Sequence, residues 1–273
     1  MKNNIRKYYI WNLLSLNVLI TPIYVLYLRQ IGLNYLEIAT LHFIKDASIV
    51  ILEVPSGILS DLTSRKMMLI LSGLFLAASM AVFALFPDFI FLILAFIMWG
   101  GAIAFASGTD VALIYESLEE KSDYPKLVSN VSMLRKAGGF LTKLLGPLLF
   151  VYHNLIPFII SSILAVITAL IAGSFAEPKV RKVREKKKMY IKEAWARVRT
   201  KEIYPGILSF ALIMGMLSTI FVFQQPKLEA VGVKPVYFSL IYGGFFLFGG
   251  LGSYLARHFH HHLKVSSFYS IVS

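Results

Sequence analysis

The residues of this chain that could do chemistry are few, and most lie inside long apolar runs. His42, Asp46 and Glu53 are spaced i, i+4 and i+11, which at about 100° per residue places them within about 40° of arc on one helix face. Asp110 and Glu116 fall in a later apolar run, and Arg135, Lys136 and Lys143 in the next. An ionisable group in an apolar helix is costly. It therefore faces a bundle interior or a water-filled cavity, pairs with an opposite charge, and marks a candidate solute or ion path. Asp46 and Glu53 are carboxylates of the kind that take up and release protons in such a cavity. His42, near the outer end of its helix, suits either that role or a satisfied interface.

Depth suggests which charges meet. Counted from the turn at 120–125, Asp110 and Arg135 each lie ten or so residues in, or ~15 Å at 1.5 Å per residue. Glu53 stands eight residues above Asp61, or ~12 Å. Asp110 is expected to pair with Arg135, with Glu53 nearby, either as a strut between helices or as part of a binding cluster. Asn12 and Asn17 are candidates for substrate contact or for interhelical hydrogen bonds. Other chemistries are missing. Without cysteine there is no thiol nucleophile and no thiolate metal site, and neither an H-E-x-x-H pair nor a phosphate-binding glycine loop occurs, so no enzyme, cofactor or metal is expected. His258, His260, His261 and His262 form a short run that fits a basic loop better than a metal site, which needs a second shell to orient its ligands.

The elements that must position these residues are membrane helices. Apolar residues make up 57% of the 273, charged residues 15%, and mean hydropathy is +0.70; there is too little polar surface to cover a globule in water. Eight segments are long enough for a bilayer core of about 30 Å: near 8–28, 36–60, 67–86, 89–117, 126–151, 155–176, 204–225 and 236–256. The first follows a basic N-terminus but is too long for a signal peptide and lacks a cleavage site, so it is expected to be retained. Helices 67–86 and 155–176 carry no charge and are expected against lipid, with 36–60, 89–117 and 126–151 lining something wet. With the N-terminus inside, twenty Lys/Arg fall in cytoplasmic segments and three, Arg29, Lys227 and Lys234, outside, which orients the chain in a cytoplasmic (inner) membrane. Over half of the net charge of +12 sits in 177–202, with eleven Lys/Arg and four Glu. That concentration reads as a headgroup-facing loop and not as a nucleic-acid site.

Gly57-Ile58-Leu59-Ser60-Asp61-Leu62-Thr63-Ser64-Arg65-Lys66 resembles the G-x-L-a-D-r-x-G-R-K signature between the second and third helices of the major facilitator superfamily. Leu62 and Ser64 stand where Arg and Gly are common, and a glycine there would take φ > 0 without cost. Glu53-Val54-Pro55-Ser56-Gly57 and Gly108–Leu118 look like stretches of a prokaryotic branch of putative efflux or uncharacterised carriers. Gly146-Pro147 is similar to a remnant of a glycine-rich antiporter motif. The resemblance implies an all-α polytopic fold of two six-helix halves and a secondary carrier of a small solute, working by alternating access and coupled to protons or another ion. It gives Gly57, Asp61, Arg65 and Lys66 the role of a cytoplasmic gate.

Ile31–Leu41 aligns with Val231–Ile241, as a family built on a repeat requires. The expected organisation is a six-helix bundle over 1–176, a basic linker over 177–203, and over 204–273 two helices and the start of a third. On this count four helices are missing, which implies a C-terminally truncated carrier or a partner that supplies them. The alternative is a non-transporting fragment or membrane subunit of the same ancestry.

Overall fold

The computed structural model describes residues 2–15, 17–177, 216, 219–220 and 222–259, and among these there are helices and no strands. The order is α1 (Lys2–Leu14), α2 (Tyr24–Gln30), α3 (Tyr35–Leu62), α4 (Arg65–Leu85), α5 (Phe89–Ala106), α6 (Thr109–Ser117), α7 (Tyr124–Tyr152), α8 (Ile156–Gly173) and α9 (Phe238–Phe259). Residues 222–230 are also helical. All but the first residue of the linker 177–203, most of the segment 204–225, and His260–His262 lie outside the described residues.

Two of the expected spans are each two helices. The run 8–28 breaks between Leu14 and Tyr24, where Pro22 has no N–H to donate to a helix. The run 89–117 breaks at Ser107-Gly108, where Gly108 turns into the left-handed region at φ 69°. Three described helices are long and apolar enough to cross a membrane: Arg65–Leu85, Phe89–Ser117 and Ile156–Gly173.

Helix starts follow local chemistry. Asn34 caps α3 in a reciprocal box with Glu37: the Glu37 N–H donates to Asn34 Oδ1 at 3.0 Å and the Asn34 N–H to Glu37 Oε2 at 2.7 Å. Ser64 has extended backbone (φ −152°, ψ 123°) and accepts the Met67 N–H at 3.0 Å, capping α4. The position therefore needs a cap and not a glycine, and the departure from the common residue carries no strain.

The helices are held by hydroxyl-to-carbonyl bonds and small-residue seams, as expected where apolar surface alone does not draw helices together. Ser72 and Ser79 of α4 donate to the Ala102 and Ala95 carbonyls of α5, each at 2.7 Å, and Ser162 of α8 donates to Ala77 of α4 at 2.9 Å. The helices expected against lipid, α4 and α8, thus pack on each other; Ile159, Ile163 and Leu170 remain exposed on the far face of α8. One core joins Tyr24, Tyr27, Phe83, Phe96, Trp99 and Phe158, and a second surrounds Tyr8 and Trp11.

The aligned stretches share a backbone. After α2, the Ile31, Gly32 and Leu33 N–H groups donate to Tyr27, Arg29 and Leu28 carbonyls; after 222–230, the Val231, Gly232 and Val233 N–H groups donate to Lys227, Glu229 and Leu228. Both turns place a glycine at positive φ, Gly32 at 98° and Gly232 at 83°. Each position in one turn matches the residue 200 further on, and both are glycine-closed helix ends of the same kind.

The broken first segment lies tightly on α7. A Cβ on Gly146 would overlap the Leu19 carbonyl oxygen, and one on Gly138 the Leu13 carbonyl oxygen. Gly146→Val should therefore cost about 3 kcal/mol or more, since backbone cannot give way as a side chain can. Gly57→Ala, with nothing within 4 Å of the new methyl, should leave stability close to the parent. Thermal unfolding of both variants in detergent checks this; a Gly146→Val protein as stable as Gly57→Ala would refute the close packing.

Candidate functional site

Asp110 sits in the first turn of α6, just past the Gly108 break, and its side chain is 6% exposed. Arg135 reaches it from α7, with Nη2 to Oδ2 at 2.5 Å, while 47% of the arginine side chain stays open. The Tyr8 hydroxyl of α1 donates to the same Oδ2 at 3.2 Å. Arg135 Nε donates to Asn12 Oδ1 at 2.6 Å, and Asn12, fully buried, donates its Nδ2 to the Tyr8 carbonyl at 2.8 Å. Three helices thus meet in one charge-assisted network. Its carboxylate is enclosed and its guanidinium partly presented.

Asn17, in the break, donates to the Leu13 carbonyl at 3.0 Å and the Arg135 carbonyl at 3.4 Å, so its amide holds backbone to backbone. Lys136 lies half-buried beside Arg135. Lys143, two turns further along α7, is 4% exposed; its Nζ lies 3.5 Å from the Val18 carbonyl and 5.3 Å from the Phe246 ring of α9.

The face of α3 does not gather its three groups into one site. His42 meets the Tyr24 hydroxyl of α2, and Asp46 pairs with its neighbour Lys45 at 3.1 Å. Glu53 is exposed and accepts from Ser107 Oγ at 2.9 Å, at the break between α5 and α6. It is three residues along the chain from Asp110 by way of that contact, but it takes no part in the Asp110–Arg135 bonds. Equal depth places groups in one layer and says nothing of their azimuth, which here separates them.

A second ion pair closes one end of the bundle. Arg65, in the first turn of α4, lies 2.7 Å from Glu116 near the end of α6. Gly57 is exposed on α3, Lys66 is half-buried next to Arg65, and the backbone of Asp61 is in the last turn of α3. Among the described residues no three His, Asp or Glu side chains gather as metal ligands.

The family model described as Major Facilitator Superfamily matches residues 10–273. The chain belongs to the major facilitator superfamily. Members are multi-pass transporters of small molecules in a lipid bilayer, and the helical architecture of this facilitator, with its long apolar spans, agrees with that. No curated protein matches the chain.

Two side chains that matter to this facilitator escaped the sequence reading. Tyr8 lies in a polar-looking N-terminal stretch, and only its position one helical turn before Asn12 hints that both face α7. Gln225, 0% exposed, donates Nε2 to the Thr21 carbonyl at 2.8 Å and accepts the Val25 N–H at 3.0 Å, serving the break from 200 residues away. Its signal is a glutamine at the end of an apolar segment, which is a common sight and a weak one.

Arg135→Gln and Asp110→Asn should each be destabilising, Arg135→Gln by roughly 3 kcal/mol because it leaves an enclosed carboxylate without its cation. The exchanged pair, Asp110→Arg with Arg135→Asp, should recover part of that loss. Thermal unfolding and monodispersity in detergent are the readouts, and an exchanged pair no better than the worse single variant would rule out direct pairing. Arg65→Glu with Glu116→Arg should likewise recover part of what either change alone removes.

Proposed function

We propose that this facilitator is a secondary active carrier that moves a small solute across the cytoplasmic membrane by alternating access, coupled to protons or another ion. The observation that carries the reading is the Asp110–Arg135–Asn12–Tyr8 network: a charged cluster inside apolar helices, buried at its carboxylate and open at its guanidinium.

The division into a bundle over 1–176 and a second over 204–273, joined by the basic linker 177–203, is supported by the matching turns at Gly32 and Gly232. Two bundles related in this way can rock about a midplane site. Arg65 with Glu116, together with Gly57, Asp61 and Lys66, forms the cytoplasmic gate in this reading, with the N-terminus inside. Asp46, Glu53 and His42 are the groups along the path open to an ion. The likeness of Gly146-Pro147 to a remnant of an antiporter motif is what speaks for export.

Flux tests this. Reconstituted in liposomes as the full-length gene product, the protein should drive solute movement that follows an imposed pH gradient and falls at least tenfold in Arg135→Gln. A gradient-independent leak equal to empty liposomes would reject the carrier reading.

A further inference from the structure

Of two cations on α7, Arg135 meets a carboxylate and Lys143, among the described residues, meets none. Arg135 and Lys143 stand about two turns apart on that helix. Among the described helices, α1, α8 and α9 pack most closely on α7, and none of the three contains Asp or Glu. The one carboxylate at this depth that α7 is seen to reach is Asp110 of α6, already held by Arg135 and Tyr8. Four other acids of the described helices have partners elsewhere: Asp46 in Lys45, Glu53 in Ser107, Glu116 in Arg65 and Glu37 in the α3 cap.

Lys143 is the decisive case. The residue is 4% exposed, and no carboxylate among the described residues pairs with its ammonium. Its partners are the Val18 carbonyl at 3.5 Å, which already accepts from Thr21 Oγ1 at 3.2 Å, and the face of Phe246 at 5.3 Å. Those contacts orient a cation without neutralising it. Arg135 adds direction: its two bonds use Nε and Nη2. Nη1 makes no such bond and can donate to a carboxylate or similar oxyanion.

We infer that the site selects anions: the solute of this carrier is a small organic molecule with an anionic group, received by Arg135 and drawn inward by Lys143. This rests on the reading of the network as the solute site and deepens it by naming the charge class.

The chain contains no cysteine, so one introduced thiol reports the local potential. Ser132→Cys stands three residues before Arg135 on the same helix face and is exposed. Its reaction rates with a negative sulfonate thiosulfonate and a positive trimethylammonium thiosulfonate are compared with those of Ser122→Cys in the exposed turn before α7. The negative reagent should be favoured roughly tenfold over that control. Lys143→Met should lower the preference several-fold and Lys143→Arg should keep it, which separates charge from packing. Asp110→Asn with Arg135→Gln removes both charges of the pair, and a preference should survive there on Lys143.

Equal rates for the two reagents, or a preference untouched by Lys143→Met, overturns the assignment. Flux measured on the same preparations keeps the two readings apart. Gradient-driven transport without the anion preference sinks the charge class alone, whereas a preference without transport supports the anion site and removes the carrier reading.

Discussion

The break between α1 and α2 governs much of what surrounds it. Hydrocarbon offers no water to satisfy backbone N–H and C=O groups, so an unwound stretch persists only where other elements supply partners. Between Leu14 and Tyr24 those partners come from three directions. Ser161 of α8 accepts the Leu19 N–H at 3.0 Å, Lys143 of α7 approaches the Val18 carbonyl, and Gln225 takes both the Thr21 carbonyl and the Val25 N–H. The Asn17 amide and the glycines of α7 then let the two backbones touch. Remove the break, and α7, α8 and 222–230 lose their common point of attachment.

That arrangement also sets the electrostatics. Bringing α7 so close to the broken segment carries Arg135 to Asn12 and, past it, to Asp110, where the second break at Gly108 has turned the start of α6 toward the same space. Two interrupted helices therefore face one continuous, cation-bearing helix. The pair is stable because each charge has further partners: the carboxylate has Tyr8 and the guanidinium has Asn12. A buried pair lacking such support would gain little over apolar packing.

Much of the layout was legible in the amino-acid order. Long apolar runs place α3, α4, α7 and α8 to within a few residues, and opposite charges at matching depth single out Asp110 and Arg135. The breaks at 15–23 and 107–108 were not legible, because hydropathy counts side chains and both interruptions occur inside apolar stretches where backbone bonds are replaced by distant side chains. Glu53 shows the other limit: helical periodicity puts it on a face with His42 and Asp46, yet each of the three finds a different neighbour, since one helix 28 residues long meets several elements along its length. Ser64 shows that a consensus position can be served by different physics, a hydroxyl cap in place of a glycine turn.

Gln225 gives the fold a clock as well as a contact. Its partners in the first segment are 200 residues upstream, whereas Ser161 is 142 and Lys143 is 125 residues from theirs. At a synthesis rate of about 5–20 residues per second, the Thr21 carbonyl and Val25 N–H leave the ribosome some tens of seconds, at the slower rate, before the side chain that will hold them exists. During that interval the second part of the break must borrow hydrogen bonds from water or lipid headgroups. The first segment is thus inserted early and finished late, and the order of biosynthesis assigns its completion to the copy of the repeat that is made second.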